Sequence, residues 1–323
     1  MTLDSLRPDS RGVSEVIGSI LVFGLVVALV SMLQVQAVPN ANEEVEFEHS
    51  NQVSNDMADL QVAVSESVDT GRTKEANVKL GAEYPPRLLF FNPPSATGRL
   101  QTSDPATIRI SNADADGNLG AYLQTNPELS TRQLNYTANY NELENAPVHV
   151  RETAVAYKAT DDDALVEGST LIDGRQISLV AIGGEYDSAG VQSETVAAKP
   201  LSAPSKSYQV SDTGSRIRLE VPTTLPEEQW SEILEGEYAA GATTLGGVTP
   251  SGDGFVMRAE YDDTTTPNTL LLELKQGEQY TLQLGKVGFG DGGDPTAKYI
   301  VPSTRNPGEA TVEVRDTFNN PVS

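Results

Sequence analysis

The sequence predicts a mainly β protein that begins with a long transmembrane and amphipathic α-helix and continues as an antiparallel, β-sandwich-like ectodomain with one short inserted helix. Three observations lead to this fold class. Val16 to Val38 is an apolar run without a charged residue, and Val53 to Val68 carries an apolar stripe at helical spacing. From about Asn77 onward, short runs of alternating apolar and polar residues are separated by Gly, Pro, Asp and Asn, which is typical of strands and turns.

The first element is long enough to cross a lipid bilayer. Its 23 residues from Val16 to Val38 would form a helix of about 35 Å, against a hydrocarbon core of roughly 30 Å. A secretory apolar region has only about 7–15 residues. Arg7 and Arg11 precede the run and acidic residues follow it, so the positive-inside rule predicts a cytoplasmic N-terminus and an extracellular ectodomain. We therefore expect a single-pass protein of the cell membrane whose first partner is the lipid bilayer.

A second interpretation stays open for the same segment. Val35-Gln36-Ala37 is a small-residue site of the kind that signal peptidase cleaves. Cleavage after Ala37 would release a soluble protein, and the expected function would then be that of a secreted carbohydrate-binding or polymer-binding protein.

The residues before the apolar run resemble a known family. Arg11-Gly12, followed by "VSEVIG" and the apolar run, resembles the class III signal of archaeal type IV pilin-like proteins. The resemblance implies that a prepilin peptidase cuts between Gly12 and Val13, close to Arg11. Residues 1–12 would then be a leader peptide, and residues 13–38 would stay on the mature protein as its membrane helix. It also implies two kinds of partner, the prepilin peptidase and other pilin-like subunits.

Two further features bear on this resemblance. Bacterial pilins carry a glutamate at the fifth mature position, whereas Glu15 would be third here. The N-terminal third, including "VPNANEEVEFEHSNQVSNDMADLQVAV" and "YPPRLLFFNPP", is similar to haloarchaeal pilin-like surface proteins of uncharacterised function. The resemblance implies an archaeal cell-surface protein with a structural, adhesion or display role.

Residues 39–70 are expected to extend the membrane helix outside the cell, with Pro39 tolerated at a kink or a restart. Apolar residues recur there at steps of three and four, as on one face of an amphipathic helix, at Val53, Met57, Leu60, Val64 and Val68. In the membrane segment, small residues suited to close helix packing include Gly18, Ser19, Gly24, Ala28 and Ser31. We expect the stripe to be buried against the ectodomain and the small residues to face other helices.

Residues 77–307 are predicted to form the β-rich ectodomain, as one unit or as two subdomains. The predicted strands are Arg87–Phe91, Thr107–Ile110, Val148–Tyr157, Gln176–Ile182, Ser215–Val221, Phe255–Tyr261, Thr269–Leu274 and Tyr280–Leu284. The segment "TTLPEEQWSEIL" predicts a helix with Thr224 near the N-cap, Pro226 in the first turn and Trp230 on the buried face.

Residues 308–323 form a separate feature. The segment "GEATVEVRDTFNNPVS" is similar to the opening strand and turn of an invasin-type Ig-like domain. This resemblance implies extracellular display. The strand either closes the existing sheet or belongs to a shortened version of a longer protein.

The composition is strongly acidic. The chain has 46 Asp and Glu against 22 Lys and Arg, and its formal net charge is -24. Such a surface repels phosphate groups, which argues against nucleic acid as a partner. Arginine outnumbers lysine, and dense carboxylates with scarce lysine resemble the proteins of halophilic archaea, where a Debye length of about 3 Å at 1 M salt screens the self-repulsion. An ordinary acidic protein is the other interpretation.

No residue is predicted to be catalytic. The absence of cysteine excludes disulfides, thiolate chemistry and cysteine-ligated zinc. Neither His49 nor His149 lies in a nucleophile-elbow sequence. With 46 acidic residues, carboxylate pairs of any spacing occur by chance, so an extracellular carboxylate-based hydrolase is a third alternative without a distinguishing motif. We expect a protein that is not an enzyme.

Two further patterns suggest sites. "NADADGNLG" places oxygen donors at alternate positions before a turn glycine, like the first half of an EF-hand loop, so Ca²⁺ is the candidate ligand of Asn112, Asp114, Asp116 and Asn118. The twelfth position of that loop is Leu123, so the bidentate glutamate is missing. Asn135-Tyr136-Thr137 is an N-glycosylation sequon, which predicts a surface loop or a strand edge at Asn135.

Overall fold

The protein is mainly β with a long N-terminal apolar helix, as predicted. The computed structural model describes residues 10–88, 90–125, 127–161, 163–169, 171–204, 207–291, 295–306 and 309–322. Within these ranges the strands form three sheets and a two-stranded ribbon.

The elements follow one another along the chain without a second long helix among the described residues. In chain order they are α1 (Ser10–Thr70), β1 (Lys74–Lys79), β2 (Thr97–Thr102), β3 (Ala106–Ser111), β4 (Ala113–Ala115), α2 (Gly117–Leu123), β5 (Glu128–Thr131), β6 (Leu134–Asn139), β7 (Val148–Arg151), β8 (Val155–Ala159), β9 (Ala164–Ser169), β10 (Ile172–Asp173), β11 (Gln176–Gly183), β12 (Asp187–Gly190), β13 (Ser193–Ser202), β14 (Tyr208–Asp212), β15 (Arg218–Thr223), α3 (Glu227–Ile233), a 3-10 turn (Glu235–Glu237), β16 (Tyr238–Thr243), β17 (Val256–Asp262), β18 (Asn268–Leu274), β19 (Gln279–Gly288), β20 (Tyr299–Asn306) and β21 (Glu309–Arg315).

Helix α1 is continuous over 61 residues and contains Pro39. Because proline has no amide hydrogen, the carbonyl of Val35 lacks its helical partner at that point, yet the helix does not end there. It ends after Thr70, where Gly71 adopts a positive φ of 63°, a conformation that glycine adopts readily at helix C-termini. Two halves differ in burial: residues 14–37, here called the anchor half, are largely exposed, and residues 38–70, the docked half, bury one face.

The docked half packs on the first sheet. In this sheet β1, β13, β19, β11 and β10 lie side by side in that order, and β14 joins β19 to β4. Val78, Val196 and Val287 are fully buried between the sheet and the helix, in one cluster with Val64 and Val68. This apolar core fixes the helix to the β-rich part of the chain, which we call the head.

Two strand pairs are parallel, where the sequence analysis predicted antiparallel sheets. Strand β11 runs parallel to β19, from Gln176 opposite Thr281 to Gly183 opposite Gly288, and β16 pairs in parallel with β17. Parallel neighbours need a long crossover connection, and the chain between β11 and β19 supplies one. The predicted strand Val148–Tyr157 is also two strands, β7 and β8, which pair with each other.

The other two sheets pack with the opposite face of the first sheet around a second core, which contains Leu179 of the first sheet, Tyr157 of the second and Leu219 of the third. One has the order β12-β2-β6-β7-β8-β9, and the other has the order β16-β17-β18-β15-β3-β5. Trp230 on α3 is buried in this core, as predicted, and its indole N–H donates to Thr223 Oγ1 at 3.0 Å. The N-cap of α3 is Pro226 and not Thr224, because the Thr224 hydroxyl donates instead to Glu152 at 2.8 Å.

The C-terminal strand β21 pairs with β20 as a ribbon, and among the described residues it joins none of the three larger sheets. Gly308, the first residue of the predicted C-terminal segment, and Ser323, its last, lie outside the described residues. After β21, Phe318 is buried in the second core. The Asn320 amide donates to Ser202 Oγ at 2.8 Å and to the Leu284 carbonyl at 2.9 Å. These contacts hold the C-terminal turn against the first sheet.

Candidate membrane anchor and its junction with the head

The anchor half of α1 exposes an apolar surface on all sides. The side chains of Phe23 and Val35 are 70% and 73% exposed. Among the described residues, α1 is the one helix long and apolar enough to cross a membrane, and none of its most apolar stretch is buried in the protein. A core helix of a water-soluble protein would be buried, whereas a membrane anchor or a signal sequence would not. The anchor half is therefore compatible with a single-pass membrane anchor.

The predicted processing residues lie at the start of α1, and the predicted packing residues lie on its anchor half. Arg11, Gly12 and Val13 are in its first turns, while residues 1–9 of the predicted leader lie outside the described residues. A side chain added at Gly18 or Gly24 would meet no other atom within 4 Å. Ala28 is exposed as well. Gly18, Gly24 and Ala28 are thus accessible, and their packing against another helix stays a prediction.

The apolar stripe of the docked half is buried along its whole length, from Val53 to Val68. The same face continues toward the anchor half at steps of three and four residues through His49, Glu46, Asn42 and Val38, and these residues are buried too. We call Asn42, Glu46 and His49 the polar collar. The sequence analysis missed it because the search followed apolar residues only. The helical spacing places these residues on the docked face, but it does not show that distant partners satisfy them.

Glu46 is the centre of the polar collar. Its Oε1 accepts hydrogen bonds from the Tyr84 hydroxyl and from the Asn141 amide at 2.7 Å. Its Oε2 accepts from the backbone amides of Glu142 and Leu143 at 2.9 and 2.6 Å. Burial alone would raise the pKa of Glu46, but these four hydrogen bonds outweigh it and hold the pKa below its ordinary value. The ionised carboxylate thereby binds the loop after β6 to the helix.

His49 and Asp56 attach the helix to the end of β1. His49 Nε2 lies 3.1 Å from the Lys79 carbonyl, which can only accept, so Nε2 carries the proton. Nδ1 then accepts from the Tyr140 hydroxyl at 2.6 Å. Burial lowers the pKa of His49 and favours this neutral form. The Lys79 amide in turn donates to Asp56 Oδ2 at 2.9 Å. Polar contacts therefore supplement the apolar core at the end of the docked half nearest the anchor half.

The candidate calcium ligands lie close together in the sequence, around β4 and the start of α2. Three of the four side chains have protein partners: Asn112 donates to the Arg216 carbonyl, Asp114 accepts from Gln124, and Asn118 donates to Asn319. Asp116 is the N-cap residue of α2. Among the described residues, no group of three or more His, Cys, Asp or Glu side chains is arranged to hold a metal ion. Calcium binding here stays a prediction.

Asn135 lies in a different environment from the predicted loop or strand edge. It belongs to β6, between β2 and β7, where it stands opposite Gln101 on one side and Val150 on the other. Its side-chain oxygen is buried and has no hydrogen-bond partner among the described residues. The sequon pattern does not reveal which strands flank it. Glycosylation itself stays a prediction.

The most buried carboxyl group of the head, Glu152, is held by neutral donors. It accepts from the Thr223 hydroxyl at 2.7 Å, the Thr224 amide at 2.6 Å and the Gln133 amide group at 2.8 Å. Burial raises its pKa, and the hydrogen bonds act against that rise. These contacts fasten the turn between β7 and β8 to the end of β15, which gives Glu152 a structural role.

Comparison with known proteins gives two matches. Residues 11–82 match a family of unknown function, DUF7289, and this span contains most of α1 and all of β1. The chain is also 22% identical to an uncharacterised protein from Archaeoglobus fulgidus over 97% of its own length and 52% of the relative. The chain thus spans about half the length of that relative. No solved structure matches the chain.

Proposed function

We propose that this chain is a membrane-anchored, outward-facing, pilin-like cell-surface protein with a structural, adhesion or display role and without catalysis. The observation that carries the proposal is the single helix α1, whose anchor half is apolar and exposed and whose docked half is fixed to the head. Because the helix is continuous, a force or an orientation imposed on the anchor reaches the head directly. An anchor of this kind positions a head at a membrane or on a filament.

The proposed maturation follows the residues at the start of α1. A prepilin-type peptidase would cut between Gly12 and Val13 on the cytoplasmic side, so that the apolar helix stays with the head. Gly18, Gly24 and Ala28 would then be available to pack against the helices of other pilin-like subunits. The archaeal relative and the family match over residues 11–82 are in keeping with this proposal, and neither carries a known function.

One observation favours the alternative of a secreted binding protein. From residue 14 onward, Val38 is the first buried residue of α1, and the alternative cleavage site ends at Ala37. A chain that begins at Val38 would keep the polar collar and the apolar stripe intact. It would lose the exposed anchor half and the contact of Gln34 with Phe91.

Mass spectrometry of N-terminal peptides distinguishes these proposals. In protein recovered from membranes we expect a start at Val13, and in Gly12→Leu we expect residues 1–12 to be retained because a bulky side chain would hinder the cut. Gly18→Leu is the matched control, since it changes a glycine of the same helix away from the cut and should be processed normally. A start at Val38 in the medium would instead support the secreted form, and an uncut Met1 would indicate a plain signal anchor.

A further inference from the structure

An exposed apolar loop lies at the base of the head, between β1 and β2. The sequence analysis predicted a strand at Arg87–Phe91, but the described residues of that segment form an irregular loop, and Leu89 lies outside the described residues. We call the described residues 83–88 and 90–95 the base loop. The side chains of Leu88 and Phe91 are 104% and 86% exposed. Two large apolar side chains therefore face outward from a head that buries most of its others.

The base loop is closed and internally braced. Ala82 and Ala96 form an isolated bridge across its ends. Inside it, the Asn92 amide donates to the Pro85 carbonyl at 2.8 Å, and Arg87 Nε donates to Asn92 Oδ1 at 3.0 Å. These contacts hold the loop in shape, so the apolar tip is presented by a defined structure.

The tip of the loop is fixed beside the anchor half of α1. The side-chain amide of Gln34 donates to the Phe91 carbonyl at 2.8 Å and accepts from the Phe91 amide at 3.0 Å. A helix that enters a hydrocarbon core of about 30 Å at Val16 would leave it after about 20 residues, near Val35. Gln34 and Phe91 therefore lie together at the outer boundary of that core.

The two hydrogen bonds between Gln34 and Phe91 suit a site that water does not reach. In lipid every backbone N–H and C=O needs a partner within the protein, because each unsatisfied group is costly there. The paired contact satisfies both backbone groups of Phe91 and engages one N–H and the carbonyl oxygen of the Gln34 side chain. Farther out, Arg87 donates to Asn42 Oδ1 at 3.1 Å. Asn42 stands eight residues beyond Gln34, about 12 Å along the helix, which places it outside the hydrocarbon core.

Charge and continuity also favour lipid as the occupant. The base loop carries one acidic residue, Glu83, and one basic residue, Arg87, in a chain whose net charge is -24. Its apolar tip is next to the anchor half, which carries no charge from Val16 onward, so the two surfaces form one apolar region. We infer that the base loop inserts Leu88 and Phe91 into the outer leaflet beside α1 and gives the head a second contact with the membrane. This inference rests on the proposed membrane anchoring.

Depth-dependent fluorescence quenching tests the inference on the full chain. The protein has no cysteine, so a single introduced cysteine can carry an environment-sensitive fluorophore. The variants are Phe91→Cys for the base loop, Phe23→Cys for the anchor half and Val62→Cys as an exposed position on the same helix. Val62 is 28 residues beyond Gln34, about 42 Å along the helix. Each variant is reconstituted in phosphatidylcholine vesicles that contain nitroxide-labelled lipid.

We expect strong quenching at Phe23 and Phe91 and none at Val62, with the Phe91 probe quenched most by nitroxides near the headgroup. Quenching at Phe23 without quenching at Phe91 would overturn the inference and leave the anchor intact. No quenching at Phe23 would overturn the proposed anchoring itself. A Phe91 probe that is shielded from water only at high protein density, and that lipid nitroxides do not quench, would mean that a second copy of the chain covers the loop. That result would also overturn the inference.

A second set of variants tests the role of Gln34. Gln34→Ala in the Phe91→Cys background removes the side chain that holds the loop tip, and we expect at least a twofold loss of quenching at Phe91. Gln36→Ala is the matched control, because Gln36 is an exposed glutamine two residues away. Equal quenching in both variants would show that Gln34 does not set the depth of the base loop.

Discussion

Replacing Leu60 with aspartate is expected to lower the unfolding free energy by about 5 kcal/mol and the melting temperature by about 7 °C, because the unfolding entropy is about 2.1 cal/mol/K per residue and the chain has 323 residues. Leu60 is 2% exposed and lies in the apolar cluster between α1 and the first sheet. Truncating a buried leucine costs about 2–5 kcal/mol, and the unpaired carboxylate adds a further desolvation cost. The docked half of α1 would then lose its apolar contact with the head.

Val62→Asp is the matched control for this variant. Val62 lies two residues away on the same helix but is 55% exposed, and both variants add one negative charge. Surface substitutions usually change stability by about 0.5 kcal/mol or less, so the melting temperature should move by no more than about 1 °C. Thermal unfolding of the full chain in detergent, followed by circular dichroism, measures both. Equal decreases would contradict the assignment of Leu60 to the docked face.

The contrast between these two positions was available from the sequence, whereas the polar collar was not. Spacing of three and four residues identified Leu60 because apolar residues occupy that face. Glu46 and His49 continue the same face, but their burial depends on Tyr84, Tyr140 and the loop after β6, which lie far away in the chain. Periodicity can place a polar residue on a face, but it cannot show that distant partners will satisfy it.

In the head, the predictions were wrong where the structure depends on which segments pair with each other. Arg87–Phe91 has the apolar and aromatic composition of a strand, but Pro85-Pro86 and Pro93-Pro94 flank it. Proline has no amide hydrogen to donate to a strand ladder, and a loop formed instead. The parallel pairing of β11 with β19 could not be predicted from the sequence either. Alternation of apolar and polar side chains shows which face of a strand is buried, but it does not show which strand lies next to it.

Glu46→Gln is expected to lower the unfolding free energy by about 3 kcal/mol, because hydrogen bonds to a charged group contribute about 1.5–3 kcal/mol and an unsatisfied buried donor costs about 1–3 kcal/mol. Both carboxylate oxygens accept hydrogen bonds, Oε1 from Tyr84 and Asn141 and Oε2 from two further backbone amides. The glutamine of the variant must therefore point its side-chain N–H groups at some of these donors, which lose their acceptor. Glu48→Gln, at an exposed position on the same helix, removes the same charge and should change the stability little.

The pH dependence of this difference tests the ionised state of Glu46. Its folded pKa lies below the ordinary value of 4.5, so the ionised carboxylate contributes its full stabilisation above pH 4.5 and loses it as the pH falls through the folded value. A protonated Glu46 and the glutamine of the variant are nearly equivalent, so the gap in melting temperature between wild type and Glu46→Gln should close in that acidic range. His49 titrates in both proteins, and the comparison largely cancels its contribution. A gap that stays constant to the lowest accessible pH, or an equal loss in Glu48→Gln, would contradict a charged collar.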